Sequence, residues 1–254
     1  MRWTLACCVL LVGCAGSGSL TGDPPDPTTS EEVSFTTSDG LTLQGTYQKA
    51  PGARRGPGLV LMHQFERDRH DFDPLWDELL ATGTSLLSFD FRSHGQSDED
   101  DVPVLQLLSD REKLPADVRA AIDFLQSERI VDVDPDRIGA VGLSVGGNLA
   151  LVANHRTWGS EQTPWGVQAI ATVSARLDRA EDLAGDDSLT LRDGLYVAGA
   201  NEEFQAADAV ALEAITGGDR EVMLVNGSAD HGVELLEDAA VRARIAAWFG
   251  EVGL

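Results

Sequence analysis

The sequence has few cysteines, few basic residues and no long apolar run. Its three cysteines, Cys7, Cys8 and Cys14, all lie near the N-terminus, so the rest of the chain cannot form an internal disulfide. Lysine and arginine number 19 against 42 aspartates and glutamates, which makes the formal net charge −23. This excess of negative charge argues against nucleic acid as a partner and against an electrostatic hold on anionic lipid.

The sequence also lacks the usual signatures of metal and nucleotide sites. His63 and His70 have neither the spacing nor the cysteine partners of a zinc site, and no carboxylates repeat in a calcium-loop pattern. No glycine-rich turn between a strand and a helix resembles a P-loop or a dinucleotide site. The expected chemistry therefore uses no cofactor and no metal ion.

The N-terminal residues predict export and a lipid anchor. Arg2 precedes an apolar run over 5–12, which is too short to span a bilayer and is typical of a secretory signal peptide. The tetrapeptide Leu-Val-Gly-Cys ending at Cys14 resembles the lipobox of bacterial lipoproteins, which implies cleavage after residue 13 and lipidation of Cys14. An ordinary signal peptide with an incidental cysteine is the alternative. We therefore expect an exported lipoprotein of the bacterial cell envelope, held to a membrane only by this anchor.

Residues 14–32 and 33–254 differ sharply in composition. The first range is rich in Gly, Ser, Thr, Pro and Asp, which predicts a disordered tether after the lipidated cysteine. The second range is long enough for one domain with a sizeable core. It begins with a hairpin signal around Gly40, between two runs that alternate apolar and polar residues.

The remainder of the domain alternates between strand and helix patterns. Strands are predicted at 58–62, 85–89, 138–141, 167–173, 194–198 and 221–225, and helices at 72–81, 114–127, 148–153 and 238–249. This alternation predicts a single-domain α/β fold with a mostly parallel central sheet, an N-terminal β-hairpin and helices on both faces.

Ser144 is the candidate nucleophile. It lies in a G-x-S-x-G pattern, Gly142 to Gly146, which follows a short β-branched run and precedes a helix-forming run. The glycines leave room for a serine on a sharp, strained turn, where its hydroxyl is exposed above the sheet and close to the amides of the helix. The alternative interpretation is a glycine-rich turn in which Ser144 only caps the helix.

Three motifs together resemble the α/β-hydrolase superfamily, in particular its small dienelactone-hydrolase-like bacterial members. They are His63-Gln64-Phe65 after a strand, the segment DFRSHGQS over 90–97, and the G-x-S-x-G pattern over 142–146. The resemblance extends over residues 33–249, essentially the whole predicted domain. It implies the α/β-hydrolase fold and a serine nucleophile assisted by a histidine and an acid.

The resemblance also places the base and the acid after the serine in the chain. A serine hydroxyl needs a base within hydrogen-bond reach, and histidine suits that role near neutral pH. His231, on a loop between the last predicted strand and the last helix, stands where this fold has its base. The acid is expected just after the strand ending at residue 198, where Glu202 replaces the more common aspartate. Glu203 and Asp178 remain alternatives.

The backbone N–H groups of Val145 and Phe65 are the expected donors of an oxyanion hole. The family commonly has glycine at the position of Gln64, and a positive φ angle there would be strained for glutamine. His63 and His94 are expected to anchor loops near the site rather than to react.

These observations predict a serine hydrolase that cleaves a small carboxylic ester, or a related acyl bond, through an acyl-enzyme. The 20 residues from Ser174 to Asp193 are too few for a large lid, so little apolar surface is expected for a long acyl chain. The expected partner is a small-molecule ester, and the protein is expected to be a monomer. The alternatives are a catalytically silent surface lipoprotein that binds a ligand, and an acyltransferase that uses the same nucleophile.

Overall fold

The computed structural model describes residues 29–52, 55–159 and 164–254. The strands are β1 (Glu31–Thr36), β2 (Thr42–Gln48), β3 (Gly56–Met62), β4 (Ser85–Phe89), β5 (Val133–Leu143), β6 (Val167–Val173), β7 (Leu191–Gly199) and β8 (Thr216–Val225). The α-helices are α1 (Trp76–Ala81), α2 (Val104–Leu107), α3 (Lys113–Gln126), α4 (Val145–Trp158), α5 (Leu177–Ala184), α6 (Gln205–Ile215) and α7 (Ala239–Glu251). Two 3-10 helices span Arg69–Leu75 and Gly232–Glu237. The predicted signal peptide, Cys14 and all of the predicted tether before residue 29 lie outside the described residues.

The strands form one sheet in the order β1-β2-β4-β3-β5-β6-β7-β8. β1 and β2 are an antiparallel hairpin, and β2 also pairs antiparallel with β4. All other pairings are parallel. The predicted α/β domain with a mostly parallel sheet and an N-terminal hairpin is confirmed. The carboxyl ends of the parallel strands meet at one edge of the sheet, where open α/β sheets bind their ligands.

Both faces of the sheet are covered by helices. Along β3, Val60 and Met62 join a core that also contains side chains of α3, α4, α5 and α6. Leu59 and Leu61 join a second core with side chains of α1 and α7. Because both faces of β3 are buried, its sequence is a continuous apolar run rather than an alternating one.

β1 begins two residues before Val33, the residue at which the domain is predicted to start. β1 starts at Glu31, and its first pairs are with residues 47 and 46 of β2. Both glutamates at its start are exposed, so their side chains gave no sign of a strand, while the backbone hydrogen bonds of the hairpin include them. Glu32 also accepts a hydrogen bond of 2.6 Å from Arg69, a further link to the domain.

The predicted helix at 72–81 differs in its first half. Residues Arg69–Leu75 form a 3-10 helix that begins with the Asp68 carboxylate accepting from the His70 N–H, and α1 starts only at Trp76. Pro74 lies inside the 3-10 segment, where its missing N–H and its ring disfavour a regular α-helix.

No helix in the described parts of the chain is both long enough and apolar enough to cross a membrane.

Candidate active site

Ser144 lies on a sharp turn between β5 and α4. Its backbone angles are φ 51° and ψ −111°, which non-glycine residues rarely adopt. The Ser144 N–H donates to the Val173 carbonyl at 2.8 Å, and the Ser144 carbonyl accepts from the Asn148 N–H at 3.0 Å. The hydroxyl therefore stands at the carboxyl edge of the sheet, beside the N-terminus of α4.

Gly142 and Gly146 leave the space that this turn needs. A Cβ on Gly142 would lie 2.1 Å from the Gly146 carbonyl oxygen, and a Cβ on Gly146 would lie 2.0 Å from the Met62 carbonyl oxygen. A side chain at either position would displace backbone, because real Cβ atoms do not approach this closely. The glycines of the G-x-S-x-G pattern are therefore required by the close packing of α4 on the ends of β5 and β3.

The imidazole of His231 lies between Ser144 and Glu202. Its Nε2 is 2.7 Å from Ser144 Oγ, and its Nδ1 is 2.7 Å from Glu202 Oε1. An ionised carboxylate only accepts hydrogen bonds, so we assign the ring proton to Nδ1, which leaves Nε2 to accept from the serine hydroxyl. In this tautomer the ring can take the hydroxyl proton when the oxygen attacks.

The carboxylate of Glu202, in a tight turn after β7, makes three hydrogen bonds. Its Oε2 accepts from the Gly199 N–H at 2.8 Å and from the Ser174 hydroxyl at 2.9 Å, while Oε1 faces His231. The Glu202 N–H returns a hydrogen bond to the Gly199 carbonyl at 3.0 Å. The side chain is only 4% exposed. The Glu202 carboxylate therefore accepts hydrogen bonds from its own turn and from the imidazole at the same time.

The other acid candidates lie elsewhere on the surface. Asp178, at the start of α5, is exposed and pairs with Arg176 at 3.0 Å. Glu203 is exposed beside the turn, and neither it nor Asp178 has a hydrogen bond or ion pair with His231 among the described residues. Of the acids considered, the structure brings only Glu202 to the imidazole.

The two expected oxyanion donors lie on neighbouring segments. Val145 is the first residue of α4, so its N–H has no partner within the helix. The Gln64 N–H donates to Asp71 at 3.2 Å, but the Phe65 N–H makes no hydrogen bond to the described residues. Because Gly146 abuts the carbonyl of Met62, the start of α4 is close to the loop after β3. Neither N–H group thus has a hydrogen-bond partner among the described residues, and the two lie on segments that meet at Gly146 and Met62.

The loop after β3 avoids the strain expected at Gln64. Gln64 has a negative φ angle, and the positive φ of this loop, 61°, falls on Glu66 instead. His63 Nδ1 donates to the Gln64 carbonyl at 2.7 Å, and His63 Nε2 accepts from the Phe91 N–H at 3.0 Å. Burial lowers the pKa of His63 to about 3, so this ring stays neutral. His63 is a structural link between two loops, as expected.

His94 also makes the loop contact expected of it. Its Nδ1 donates to the carbonyl of Arg92 at 2.9 Å, and its ring packs edge-on against Phe65 with centroids 5.6 Å apart. The ring therefore supports the residue whose N–H is the candidate oxyanion donor.

Sequence reasoning missed a buried charge network behind this loop. Arg92 is fully buried and pairs with Asp117 at 2.7 Å, Asp100 at 2.7 Å and Asp39 at 2.8 Å. Burial opposes the charge of Arg92, yet the hydrogen bonds that it donates to Asp39 and Asp117 raise its pKa above the usual value. The hydrogen bond from Arg92 likewise lowers the pKa of Asp39. The arginine of the DFRSHGQS segment would have been the only signal, because its partners are far apart in the chain.

The described residues contain no cluster of three or more His, Cys, Asp or Glu side chains that could hold a metal ion. His155, the remaining buried histidine, accepts from the Thr190 N–H at 3.0 Å through Nδ1 and faces Asp186 through Nε2 at 3.7 Å. It lies on α4 away from Ser144, as its position in the sequence predicted.

Comparison with known sequences gives partial matches. No family model matches the chain. The polyketide transferase ATR5 of Stachybotrys chlorohalonatus is 33% identical over 128 residues, which are 49% of this chain and 40% of ATR5. The chain spans only about two fifths of the length of the curated relatives it matches, 42% and 40% for two of them. These matches leave the activity of the whole protein to be inferred from the site.

Comparison with solved structures identifies the fold. A dienelactone hydrolase from Anabaena variabilis aligns with a TM-score of 0.69 at 18% identity, over 89% of this chain and 99% of that chain. The Pyrococcus furiosus esterase Pf2001 aligns with a TM-score of 0.65 at 16% identity, over 88% and 91% of the two chains. The chain therefore has the fold of the α/β hydrolases. One fold can host many chemistries, so the chemistry of this protein has to be argued from the site.

Proposed function

We propose that this protein is a serine hydrolase that cleaves a small carboxylic ester. The observation that carries this proposal is the position of the His231 ring, with one nitrogen 2.7 Å from Ser144 Oγ and the other 2.7 Å from Glu202 Oε1. A nucleophile, a base and an orienting acid in this order are the parts that acyl transfer through serine requires.

In the first half of the reaction, Ser144 Oγ attacks the ester carbonyl carbon while His231 Nε2 takes the hydroxyl proton. The carbonyl oxygen becomes an oxyanion, which the N–H groups of Val145 and Phe65 stabilise. Glu202 holds the ring in place and stabilises its positive charge. The carbon–oxygen bond of the leaving alcohol then breaks, and His231 returns the proton to that alcohol, which leaves an acyl-serine.

In the second half, water enters the place of the alcohol. His231 Nε2 takes a proton from the water as its oxygen attacks the acyl carbon, and the same two N–H groups stabilise the second oxyanion. The bond to Ser144 Oγ then breaks, the serine recovers its proton from His231, and a carboxylic acid is released. The 39% exposed side chain of His231 gives water access to the ring.

The short connection between β6 and β7 favours a substrate with a small acyl group. The connection between β6 and β7 contains α5, residues Leu177–Ala184, and no inserted helical domain. Each CH₂ group that a substrate buries contributes about 0.8 kcal/mol to binding, so a site without a lid gains little from a long chain. We therefore propose short-chain esters as substrates.

Acyl transfer to an acceptor other than water is the second candidate function. It uses the same acyl-serine, and the 33% identity with ATR5, a polyketide transferase, over 128 residues favours it as an alternative. The two functions differ only in what attacks the acyl carbon. Product analysis with an added alcohol or amine acceptor distinguishes them, because a transferase yields the new ester or amide in preference to the free acid.

We also propose that the mature protein is anchored to a bacterial membrane through Cys14. The support is the lipobox-like tetrapeptide and the cysteine count, since Cys7 and Cys8 fall within the predicted signal peptide. The 16 residues between Cys14 and the start of β1 at Glu31 would connect the anchor to the domain.

A fluorophosphonate probe tests the proposed function without knowledge of the substrate. The probe should label the wild type at Ser144, and Ser144→Ala should abolish labelling while leaving the protein folded. Ser109→Ala, which removes the exposed hydroxyl of Ser109, is the matched control and should label normally. A wild type that does not react would favour a binding module without this chemistry, and a Ser144→Ala variant that reacts equally would overturn the assignment of Ser144 as the nucleophile.

A further inference from the structure

The side chain of Gln64 connects the loop after β3 to the loop that carries His231. Gln64 Oε1 accepts a hydrogen bond from the backbone N–H of Val233 at 2.8 Å, between residues 169 positions apart. Val233 follows His231 by two positions and lies in the 3-10 helix Gly232–Glu237. Gln64 also directly precedes Phe65, so one amide joins the candidate oxyanion segment to the candidate base.

Gly232 makes this contact sterically feasible. A Cβ at position 232 would lie 2.0 Å from Gln64 Oε1 and 3.8 Å from Ser144 Cβ. The φ angle of Gly232 is 60°, a conformation that glycine adopts without strain. The Gln64 amide, the glycine after the base and the nucleophile therefore meet in one place.

The position directly after His231 is thus a glycine in the left-handed region. Glycine has a wide choice of backbone angles, so fixing the ring requires contacts on both sides of it. On the N-terminal side, the His231 N–H donates to Glu234 Oε2 at 3.1 Å. On the C-terminal side, the Gly232 N–H donates to the Ser174 hydroxyl at 2.9 Å, and the next residue, Val233, is held by Gln64.

We propose that Gln64 is a positioning residue for the base. Its amide oxygen holds the backbone at Val233 and, through Gly232, keeps the His231 ring in line with Ser144 Oγ. The residue acts through His231 and does not touch the reacting atoms. This inference rests on the proposed function and assigns a task to the residue that replaces the glycine common in similar proteins.

The test compares Gln64→Met with the wild type on an activated ester such as p-nitrophenyl acetate. Methionine has a similar length and no amide acceptor, so the Val233 N–H loses its partner. We expect kcat to fall by about 10- to 100-fold, as for a small misplacement of a catalytic group, with KM within about twofold. Gln64→Asn, whose amide is one methylene too short, should show the same loss and serves if Gln64→Met does not fold. Gln106→Met, the same change at an exposed glutamine, should match the wild type.

A double-mutant cycle with His231→Ala separates positioning of the base from other roles. If Gln64 acts through the ring, Gln64→Met should cost less than about twofold once the ring is absent, because the two changes remove one interaction. An equal loss in both backgrounds would mean that Gln64 acts on the oxyanion segment and would overturn the inference. Unchanged kcat in Gln64→Met and Gln64→Asn would overturn it as well.

Failure of the inference and failure of the proposed function give different results. If the wild type does not react with a fluorophosphonate probe, the proposed function is wrong and the inference falls with it. If the wild type reacts and Gln64→Met reacts at the same rate, only the inference about Gln64 is wrong. We expect the probe to react quickly with the wild type. We expect its reaction with Gln64→Met to be slower by about the same factor as the fall in kcat.

Discussion

The hydroxyl of Ser174 donates a hydrogen bond of 2.9 Å to Glu202 Oε2. The Ser174 Oγ in turn accepts a hydrogen bond from the N–H of Gly232 at 2.9 Å. One buried hydroxyl at the end of β6 therefore joins the acid to the loop of the base. Ser174 makes this contact from a φ angle of 57°, in the left-handed region that favours glycine.

Ser174→Ala and Ser174→Gly should both lower kcat by about tenfold, because a hydrogen bond to a charged group contributes about 1.5–3 kcal/mol. The two variants should differ in stability. Glycine tolerates the left-handed conformation, so the free energy of unfolding of Ser174→Gly should exceed that of Ser174→Ala by about 1 kcal/mol. Ser174→Gly should therefore unfold at a higher urea concentration. Ester hydrolysis and urea unfolding measure the two effects. Wild-type kcat in both variants would show that the hydrogen bond from Ser174 does not assist Glu202.

Glu202→Gln should lower kcat nearly as far as His231→Ala, while the fold is retained. Loss of the carboxylate permits the wrong tautomer of the ring, which costs about 10⁴ in kcat in serine proteases. Glu202→Asp should keep partial activity because the charge remains and only the reach shortens. Glu203→Gln and Asp178→Asn are matched controls and should cost far less. If Asp178→Asn lost its activity while Glu202→Gln kept it, the acid would be Asp178, which follows β6.

Gly146→Ala should destabilise the protein by about 3 kcal/mol or more, since a close-packed site has no room for an added methyl group. Its Cβ would lie 2.0 Å from the Met62 carbonyl oxygen. Gly250→Ala is the matched control, because Gly250 lies in α7 with nothing within 4 Å of an added Cβ. The control should gain about 0.5–1 kcal/mol from helix propensity. Equal unfolding midpoints for the two variants in urea would contradict this account of the turn.

The buried His63 should make folding stability depend on pH. Its pKa is about 3 in the folded protein because of burial. The usual value in an unfolded chain is about 6.5. Between these values the unfolded chain binds one more proton, so stability is present above pH 6.5 and is lost as the pH falls, by about 1.4 kcal/mol per pH unit. Urea unfolding at pH 7 and at pH 5.5 measures the slope.

His63→Gln should be less stable than the wild type at pH 7. It should also lose the part of the pH dependence of stability that His63 causes, because glutamine does not titrate. The matched control is His70→Gln, which makes the same change at a histidine whose side chain is 64% exposed. Identical slopes in the wild type and in His63→Gln would show that His63 is not the group responsible.

Metabolic labelling with palmitate tests the proposed anchor. The wild type should carry the label in a bacterial host, and Cys14→Ser should remove it, because the cysteine thiol is the expected acceptor. Cys8→Ser changes a neighbouring cysteine of the predicted signal peptide and should keep the label. A single acyl chain gives only marginal membrane binding, so stable attachment implies more than one chain. An unlabelled wild type would leave ordinary secretion as the interpretation.

Several parts of the fold were readable in the sequence because their cause is local. The strands β3, β4 and β6 are largely buried on both faces, so each is a mostly apolar run that can be recognised without its neighbours. The turn at Ser144 was also predictable, since its geometry excludes side chains at positions two residues away on either side. The positions of Glu202 and His231 followed from the order of residues in similar proteins.

Other features depend on which loops the fold brings together, and no local pattern records that. The turn closed between Gly199 and Glu202 directs this acid, rather than its neighbour Glu203, to the ring of His231. The link from Gln64 to the loop of the base joins segments 169 residues apart and exists only because the two loops end at the same edge of the sheet. Periodicity reports which face of an element is buried, whereas a polar contact across the chain is decided by the packing of the whole domain.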